Sequence, residues 1–211
     1  MSLYLGDIAP NFNAMTTEGM LNFHDWLGNK WGVLFSHPRD FTPICTTELG
    51  YLASLKSEFD KRSVKIIGLS IDSLESHVKW INDINLTQQT TINYPIIADE
   101  DAEIAQLYKM IHSKELDKFT IRCVYVIAPD KSIRLSYSYP ASTGRNFNEL
   151  LRAIDSLQLT AQHCVATPAN WHPGESCYIL PSVPIETINQ KFPEGFEEIT
   201  PYMRKVKQPE I

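Results

Sequence analysis

An apolar run, a proline-rich turn and a cysteine follow one another early in this sequence, and their order constrains the fold more than any other stretch. The run Trp31–Phe35 is rich in aromatic and β-branched residues and lies between Gly28 and Pro38, which is typical of a strand inside a sheet. Pro38 and Pro43 stop the chain from continuing as sheet. Residues 46–59 then carry apolar side chains at helical spacing. The pattern therefore predicts a buried strand, a turn and a helix.

Cys45 lies at the predicted start of this helix. The unpaired N–H groups and the dipole of a helix N-terminus favour an anion, and a thiolate is one. An ordinary cysteine has a pKa of about 8.5 and is already a few per cent thiolate at neutral pH. Full deprotonation would therefore raise the rate of nucleophilic attack by its sulfur only about thirtyfold. Fast cleavage of a bond also needs donors aimed at the atoms where charge develops. Thr42 can offer a hydroxyl, and an arginine from a distant strand would add positive charge.

Further strands and helices are predicted to alternate along the chain as far as Leu157, and a hairpin is predicted near the end of this stretch. The order is that of an α/β, thioredoxin-like fold, with a central mixed sheet flanked by helices and followed by a C-terminal extension. The predicted elements are strands at 64–71 and 94–98, helices at 74–84 and 102–108, the hairpin strands 122–127 and 132–139, and a helix at 146–157 with Asn146 as its cap.

Pro38, Thr42 and Cys45 form the pattern Pro-x-x-x-Thr-x-x-Cys, which resembles the active-site signature of the peroxiredoxins. The longer run from His37 to Gly50 resembles their 1-Cys branch, to which the mammalian type 6 proteins belong. The resemblance covers nearly the whole chain, because further segments occur in the family's order. These segments are Pro10–Phe12, Ile71–Ser73, Tyr94–Asp99, Arg122, Pro129–Lys131, Tyr139–Pro140, Thr143–Asn146 and Ala166–Trp171.

The resemblance implies a thiol-dependent peroxidase and a role for each residue of the motif. Cys45 would be the nucleophile that attacks the peroxide, and Thr42 and Arg122 would hold the thiolate and the peroxide by hydrogen bonds. The supporting residues would be Pro38 in the signature, Pro43 as a shield against solvent, His37 lining the site, and Arg145 orienting an acidic residue and the site loop. The resemblance implies no cofactor.

Each of these residues also has a plainer interpretation when it is taken alone. A buried cysteine such as Cys45 is most often a small hydrophobe, and Arg122 would be an ordinary strand arginine. Thr42 could serve as a helix cap, although a capping hydroxyl can also reach a nearby thiolate. His37 could be purely structural. The complete signature, with Arg122 in its family context, favours the catalytic interpretation.

The sequence also bears on which thiol would clear the oxidised cysteine. In the 2-Cys branch a Val-Cys-Pro tripeptide precedes a tryptophan, whereas the matching residues here are Ala166–Pro168, with threonine in place of the resolving cysteine. Cys164 misses that position by three residues. The resemblance therefore implies an external thiol, of the glutathione or thioredoxin type. Cys123, Cys164 and Cys177 stay open as alternatives, and Cys123 is most simply a packing residue.

Three other functions are weighed against this one. Some relatives combine the peroxidase with a phospholipase A2 that uses the serine of a Gly-x-Ser-x-Gly run, but here Lys30 replaces that serine and cannot act as the acyl nucleophile. His24 and Asp130 match the other two phospholipase positions and are then structural. A thioredoxin-type oxidoreductase would need a cysteine at Thr42. The non-enzymatic alternative is an oligomeric binding protein or redox sensor whose Cys45 reacts with peroxide once.

Composition and charge exclude several partners. The formal net charge of −6 argues against nucleic-acid binding, and the basic cluster Arg204–Lys207 is interpreted as a solvated tail. The sequence contains no stretch of about 18 apolar residues, so integral membrane association is not expected. Residues 1–7 lack the pattern of a leader peptide. We therefore expect a soluble, cytoplasmic protein. The four cysteines form no Cys-x-x-Cys pair and the histidines show no metal-ligand spacing, so no metal is expected.

The predicted domain boundary rests on a change near Thr160, where proline-separated short segments replace the longer periodic ones. The whole chain of 211 residues is 43% hydrophobic, which is enough for a large core, and residues 1–159 are predicted to form the thioredoxin-like peroxidase domain. After Thr160, prolines separate short segments, and residues 160–211 resemble the C-terminal dimerisation domain of the 1-Cys peroxiredoxins. This apolar, proline-punctuated arm is expected to pack on a partner subunit in a homodimer. The alternative is a tail wrapped on its own domain.

We predict that Cys45→Ser abolishes peroxide consumption, because only Cys45 combines a helix terminus with the polar clamp. Cys123→Ser, Cys164→Ser and Cys177→Ser should each keep most of the activity. Peroxide loss in the presence of excess thiol measures all four variants. Near-wild-type turnover by the Cys45→Ser variant would contradict this assignment.

Overall fold

The structure is a computed structural model and describes residues 3–111 and 119–210. These residues divide into two compact units between Arg145 and Asn146. The division precedes the predicted domain boundary at residues 159 and 160, because the helix Phe147–Gln162 groups with the C-terminal residues. The boundary of the functional domains stays a prediction.

The N-terminal unit is built on a mixed seven-stranded sheet, which confirms the predicted α/β class. Three central strands run parallel and the outer strands pair antiparallel to them, in the order β2-β1-β5-β4-β3-β6-β7. The strands are β1 Asn13–Thr16, β2 Gly19–Asn22, β3 Trp31–Ser36, β4 Val64–Ser70, β5 Ile96–Ala98, β6 Arg122–Ile127 and β7 Ile133–Tyr139. The helices are α1 Phe23–Leu27, α2 Pro43–Ser54, α3 Lys56–Lys61, α4 Leu74–Gln88 and α5 Glu103–Leu107.

The strand β3 lies near the centre of this sheet, where the sequence predicts it. All six of its residues are buried, and it pairs in parallel with β4 and antiparallel with β6. A strand covered on both faces has no need of polar alternation, which explains the continuous apolar run. The β1–β2 hairpin was not predicted. Only Ala14 and Thr16 of the two strands are buried, and the short segments Asn13–Thr16 and Gly19–Asn22 show little alternation of apolar and polar residues in the sequence.

The turn after β3 leads into α2, and Cys45 lies in the first turn of that helix. Thr42 occupies the N-cap position and Pro43 the first helical position, where a missing N–H costs nothing. Just before them, Phe41 has a φ of 53°, a left-handed conformation that is unusual for a bulky residue. The sequence predicts a single helix through Phe59, but the chain forms α2 and α3, because Leu55 leaves helical geometry between them.

Two side chains from elsewhere in the N-terminal unit hold α2 in place. The hydroxyl of Tyr94, which is buried, donates to the carbonyl of Leu49 at 2.9 Å. The indole N–H of Trp80 in α4 donates to the hydroxyl of Thr46 at 3.1 Å. The helix that carries Cys45 is therefore held by the segment before β5 and by α4.

The C-terminal unit has a core and an antiparallel four-stranded sheet of its own, in the order β10-β11-β9-β8. This sheet was not predicted, because its strands are short and prolines separate them. In the segment 160–211, which was expected to pack on a partner subunit, Trp171 and Phe192 are buried within this unit, whereas Tyr202 is exposed. The elements are α6 Phe147–Gln162, β8 Val165–Ala166, β9 Cys177–Ile179, α7 Ile185–Lys191, β10 Glu197–Thr200 and β11 Met203–Val206.

The interpretation of Arg204–Lys207 as a solvated tail is wrong. These residues form and follow β11, and Arg204 is buried. Its guanidinium donates to the carbonyls of Val183 and Leu180 at 3.2 and 3.0 Å. This charge therefore holds a turn of the C-terminal unit in place. No helix among the described residues has the length and apolar character required to cross a membrane.

Tyr94→Phe is predicted to lower the free energy of unfolding by about 1 to 2 kcal/mol, because it leaves a buried carbonyl without its side-chain donor. Urea denaturation followed by circular dichroism measures the change. Tyr4→Phe is the matched control, since Tyr4 is 68% exposed and should leave the midpoint unchanged. Equal midpoints for Tyr94→Phe and the wild type would show that the hydroxyl does not anchor α2.

Candidate active site

Cys45 lies fully buried in the first turn of α2, with an arginine beside its sulfur. The Nη1 group of Arg122 lies 3.4 Å from Sγ and donates a hydrogen bond to it. Arg122 is the first residue of β6, and its Nε and Nη2 groups donate to the carbonyl of Ala141 at 3.1 and 2.7 Å. The carbonyl of Ala141 thus holds two nitrogens of the guanidinium, and the third, Nη1, faces the sulfur of Cys45.

Glu48 links this arginine to a second one. Its Oε2 atom accepts from Arg122 at 2.6 Å and from Arg145 at 2.8 Å. Its Oε1 atom accepts from the backbone N–H and Nε of Arg145 at 2.8 and 2.9 Å. The Nη1 group of Arg145 donates to the carbonyls of Ser36 and Cys123, which lie on β3 and β6. A single carboxylate therefore fixes both arginines to the helix that carries Cys45.

The charges of this cluster lie away from water. Arg122, Glu48 and Arg145 are all nearly inaccessible to solvent. Burial alone opposes ionisation of Glu48, but the charge and hydrogen bonds of Arg145, with the charge of Arg122, outweigh it and hold the pKa of Glu48 below its ordinary value. Two cations and one anion leave one positive charge next to the sulfur of Cys45. This is the electrostatic environment that a thiolate needs.

Glu48 is the residue that the sequence reasoning did not name. The family resemblance implied that Arg145 orients an acidic residue, without naming that residue. The signal was present, because Glu48 follows Cys45 by three residues, and residues three apart share one face of a helix. The structure confirms that β6 brings Arg122 to Cys45, although the two residues are 77 positions apart in the sequence.

The other residues of the signature surround the start of α2. Thr42 is half-buried, and its hydroxyl donates to the carbonyl of Arg39 at 2.8 Å. Thr42 occupies the N-cap position, but within the described part of the chain its side chain makes no capping hydrogen bond. The interpretation of its hydroxyl as a helix cap is therefore wrong. Pro38 is buried under the turn, and Pro43 is exposed at the first helical position. Their roles toward a substrate stay predictions.

His37 is fully buried and belongs to a chain of three side chains. Its Nε2 lies 2.9 Å from Oδ1 of Asp40, and Oδ2 of Asp40 lies 2.8 Å from Nδ1 of His77. Burial opposes ionisation of Asp40, but the hydrogen bonds from both histidines outweigh it and hold its pKa well below the ordinary value. Burial also lowers the pKa of His37, and Asp40 only partly offsets this. His37 is therefore neutral near pH 7.

The other cysteines lie in different environments and all three are free thiols. Cys123 is buried with its sulfur 3.0 Å from the hydroxyl of Ser138, and burial raises its pKa. Burial also raises the pKa of Cys177. Cys164 is partly exposed, and Nζ of Lys191 lies 3.3 Å from its sulfur. Raised pKa values make Cys123 and Cys177 poor nucleophiles at neutral pH.

His24 and Asp130 both have structural partners. The Nε2 of His24 lies 2.8 Å from the carbonyl of Ala9. The Oδ1 of Asp130 accepts from the N–H and hydroxyl of Ser132 in the turn between β6 and β7, and these bonds lower its pKa. With Lys30 in the position of the phospholipase serine, these contacts agree with the structural interpretation of both residues.

Comparisons with known families agree with this geometry. The AhpC/TSA family model matches residues 5–136, and the model of the C-terminal domain of 1-Cys peroxiredoxin matches residues 156–188. The chain therefore belongs to the AhpC/TSA family of peroxiredoxins.

Individual relatives narrow this assignment to one type. The chain is 51% identical to the 1-Cys peroxiredoxin of Dictyostelium discoideum, over 98% of this chain and 86% of that protein. It is 51% identical to human peroxiredoxin-6, over 98% of both chains. A crystal structure of a peroxiredoxin 6 mutant from Arenicola marina superposes with a TM-score of 0.93, at 48% identity and over 100% of both chains. The chain is thus of the 1-Cys type, a thiol-dependent peroxidase.

A second solved structure is equally similar. A yeast mitochondrial 1-Cys peroxiredoxin, described with a thiol resolving mechanism through the glutathione and thioredoxin systems, superposes with a TM-score of 0.92 at 48% identity. The superposition covers 97% of this chain and 99% of the yeast chain. The fold of both units therefore recurs in enzymes of this type.

Glu48→Gln is predicted to lower the free energy of unfolding by about 3 kcal/mol at pH 7, because it leaves two buried guanidinium groups without their shared anion. The folded state holds the pKa of Glu48 below its ordinary value of 4.5. Its contribution is therefore present above the pKa of the unfolded chain and is lost as the pH falls through the folded pKa. The difference between wild type and variant should shrink in acid.

Chemical denaturation at a series of pH values from 7 to 3 measures this difference. Glu75→Gln is the control, since Glu75 is an exposed helix glutamate paired with Lys79 and should keep the wild-type midpoint. A pH-independent loss for Glu48→Gln would show that Glu48 stabilises the site by packing and not by charge.

Proposed function

We propose that the chain reduces hydrogen peroxide and organic hydroperoxides at Cys45 and that an external thiol then restores the cysteine. The observation that supports this proposal is the contact between Arg122 and the sulfur of Cys45. Glu48 accepts a hydrogen bond from the same guanidinium and holds it in place. The role in the cell would be antioxidant defence and redox homeostasis.

The chemical step needs little more than this arrangement. The thiolate attacks the hydroxyl oxygen of the peroxide, an S–O bond forms as the O–O bond breaks, and the leaving oxygen takes up a proton to give water or an alcohol. Cys45 becomes a sulfenic acid. Negative charge moves from the sulfur onto the departing oxygen, so a buried guanidinium at 3.4 Å from the sulfur stabilises the transition state where charge develops.

Thr42, Pro43, Pro38 and His37 complete the proposed site. The Thr42 hydroxyl donates to Arg39, so its oxygen remains free to accept a hydrogen bond from the peroxide, and on rotation it can donate to the thiolate. Pro43 is exposed at the first helical position, where we propose that it shields the thiolate from solvent, and Pro38 lies buried in the turn before it. His37 lines the site. Arg145 acts through Glu48 and does not touch the substrate.

An external thiol of the glutathione or thioredoxin type is the proposed reductant. Three observations support it. Threonine stands at position 167, where the 2-Cys branch has its resolving cysteine, and Cys123 and Cys177 are buried thiols of raised pKa. The yeast relative at 48% identity is described with glutathione and thioredoxin systems. Attack of such a thiol on the sulfenic acid releases water and leaves a mixed disulfide, which a second thiol clears.

We further propose that the protein is a cytoplasmic homodimer with a peroxidase domain at residues 1–159 and a dimerisation domain at 160–211. The match of a C-terminal 1-Cys peroxiredoxin model to residues 156–188 supports this division. Large apolar side chains exposed on the C-terminal unit, Ile185, Ile199 and Tyr202, provide surface for a partner subunit. Analytical ultracentrifugation of the wild type tests the dimer, and a monomer at micromolar concentration would contradict it.

Arg122→Gln is predicted to slow formation of the sulfenic acid by about 10² or more, equivalent to about 2.7 kcal/mol, because it removes the charge that stabilises the departing oxygen. Thr42→Val should have a similar effect. Stopped-flow measurement of the second-order rate constant checks both. Arg134→Gln is the matched control, since Arg134 is an exposed arginine on the neighbouring strand β7. An unchanged rate for Arg122→Gln would reduce Arg122 to a structural residue.

The fate of oxidised Cys45 separates an enzyme from a sensor. After one equivalent of peroxide and no thiol, a sulfenic-acid reagent should label Cys45, and excess peroxide should drive it to sulfinic acid. Added glutathione should then give a mixed disulfide and repeated turnover. Intact masses and non-reducing gels follow each species. A stoichiometric disulfide between Cys45 and Cys164 or Cys177 without added thiol would contradict external resolution, and a single turnover in excess thiol would favour a sensor.

A further inference from the structure

Cys164 lies in the short segment between α6 and β8 of the C-terminal unit, and its backbone is held in place. Its carbonyl accepts a hydrogen bond from the N–H of Leu180 at 3.0 Å. The side chain packs against the core of this unit but is still partly exposed to solvent, whereas Cys123 and Cys177 are buried. A small oxidant in solution can therefore reach the sulfur of Cys164.

The end of α7 places an amine beside this sulfur. Lys191 is the last residue of α7, and its Nζ group lies 3.3 Å from Sγ of Cys164 and donates a hydrogen bond to it. The next residue, Phe192, is buried in the core of the unit, and its N–H donates to the carbonyl of Ile188 at 2.7 Å. The backbone segments that carry the thiol and the amine are thus both held, although 27 positions separate them in the sequence.

The amine of Lys191 is not occupied by a carboxylate. Among the ion pairs that the described residues form, Lys207 pairs with Glu194 at 3.2 Å and Lys205 with Glu197 at 3.9 Å, but none of these pairs includes Lys191. Its acceptor in the described part of the chain is the sulfur of Cys164. No acid therefore competes with this sulfur for the amine.

A cavity of about 270 Å³ opens beside the two groups. Its lining residues all belong to the C-terminal unit and are Gln162, His163, Cys164, Lys191 and Phe192. This volume is several times the roughly 30 Å³ that a water molecule occupies in the liquid, so a molecule of hydrogen peroxide fits beside the sulfur. The place thus combines an oxidisable thiol, a nucleophilic amine and room for the oxidant.

We propose that Cys164 and Lys191 form a redox-sensitive modification site, at which hydrogen peroxide leads to a covalent sulfenamide bond between Sγ and Nζ. The thiol first reacts with hydrogen peroxide: an S–O bond forms, the O–O bond breaks, and the products are a sulfenic acid and water. Lys191, after losing its ammonium proton to solvent, then attacks the sulfur with its lone pair. The S–N bond forms, the S–O bond breaks, and the departing hydroxide takes up the proton that the nitrogen releases.

The redox balance closes with one molecule of peroxide, because the sulfur loses two electrons, the peroxide gains them, and the second step needs no further oxidant. A sulfenic acid that meets no nucleophile reacts with more peroxide and becomes an irreversible sulfinic acid. Well-oriented groups of one molecule react at effective concentrations that can reach about 10⁵ M, which favours the adjacent amine over dissolved peroxide. An external thiol that attacks the sulfur would release the amine and form a disulfide, so the modification is reversible.

Peptide mapping of the full-length Cys45→Ser variant tests the proposal, because the proposed peroxidase site cannot consume the oxidant in this variant. After treatment with a small excess of hydrogen peroxide, we expect the intact mass to fall by that of two hydrogen atoms. Under non-reducing conditions trypsin should no longer cleave after Lys191, and a peptide that joins the Cys164 and Lys191 segments should appear. Excess dithiothreitol should reverse both changes.

Lys191→Arg in the same background is the decisive variant, because a guanidinium keeps the positive charge but stays protonated and does not attack the sulfur. We expect the cross-linked peptide to fall by at least about tenfold and Cys164 to accumulate sulfinic acid instead. Lys207→Arg is the matched control and should keep the cross-link, since Lys207 pairs with Glu194. Lys191 is exposed, so its substitution should leave the fold intact.

Three results would overturn the proposal. The first is an unmodified Cys164, or a sulfinic acid there, with normal cleavage after Lys191. The second is a cross-link that persists in Lys191→Arg, such as a disulfide between Cys164 and Cys177. The third is a cross-linked peptide heavier by one oxygen atom, which would show a bridge through oxygen in place of the direct bond.

The same mapping of the wild-type chain repeats the test if Cys45→Ser is unstable. Failure of the proposed function is distinct from failure of this inference. It would appear as a lack of peroxide turnover at Cys45, whereas the mapping follows only Cys164 and Lys191.

Discussion

The carboxylate of Glu48 is shared by Arg122 and Arg145, and the geometry of the site depends on this shared contact. Arg122 enters from β6, Arg145 from the residue before α6, and Glu48 from the helix that carries Cys45. Three parts of the chain far apart in sequence are thus joined through one buried anion. Two arginines at this distance would repel each other without it, and the guanidinium beside the sulfur would lose its fixed direction.

A second buried hydrogen-bond network, formed by Asp40, His37 and His77, holds the turn between β3 and α2. Glu48 and its arginines govern charge at the sulfur. Asp40 joins the side chains of His37 and His77, and Asp72 accepts a hydrogen bond from the backbone N–H of Asp40. The left-handed conformation of Phe41 lies between them, and such a conformation persists only where the surroundings over-determine it. Both networks supply that constraint.

Much of the N-terminal unit could be predicted from the sequence, because its elements have strong local signals. The continuous apolar run of β3, the helical spacing after Cys45 and the turn between β6 and β7 each indicate one structure. The C-terminal sheet could not be predicted, since strands of two to four residues do not establish a period. Its buried arginine looked like a surface charge because burial of Arg204 is decided by turns distant in sequence.

Within the site, the resemblance to a family located Cys45 and Arg122, but not the residues that hold them. The spacing of Glu48 from Cys45 placed both residues on one helix face but did not show that Glu48 is buried, and no sequence pattern distinguished Asp40 and His77 from surface residues. Their importance appears only when burial is known, because a charge that is solvated on a surface becomes a strict geometric requirement once it lies in the interior.

The sum of charges around Glu48 has a consequence for the second half of the cycle. In the proposed mechanism Cys45 reacts as a thiolate, whose negative charge balances the surplus positive charge of the two arginines. Conversion to the uncharged sulfenic acid would remove that balance and leave a buried cation beside an electrophilic sulfur. This positive charge would then attract an anionic thiolate, so the cluster that favours the reduced cysteine would also favour the approach of its reductant.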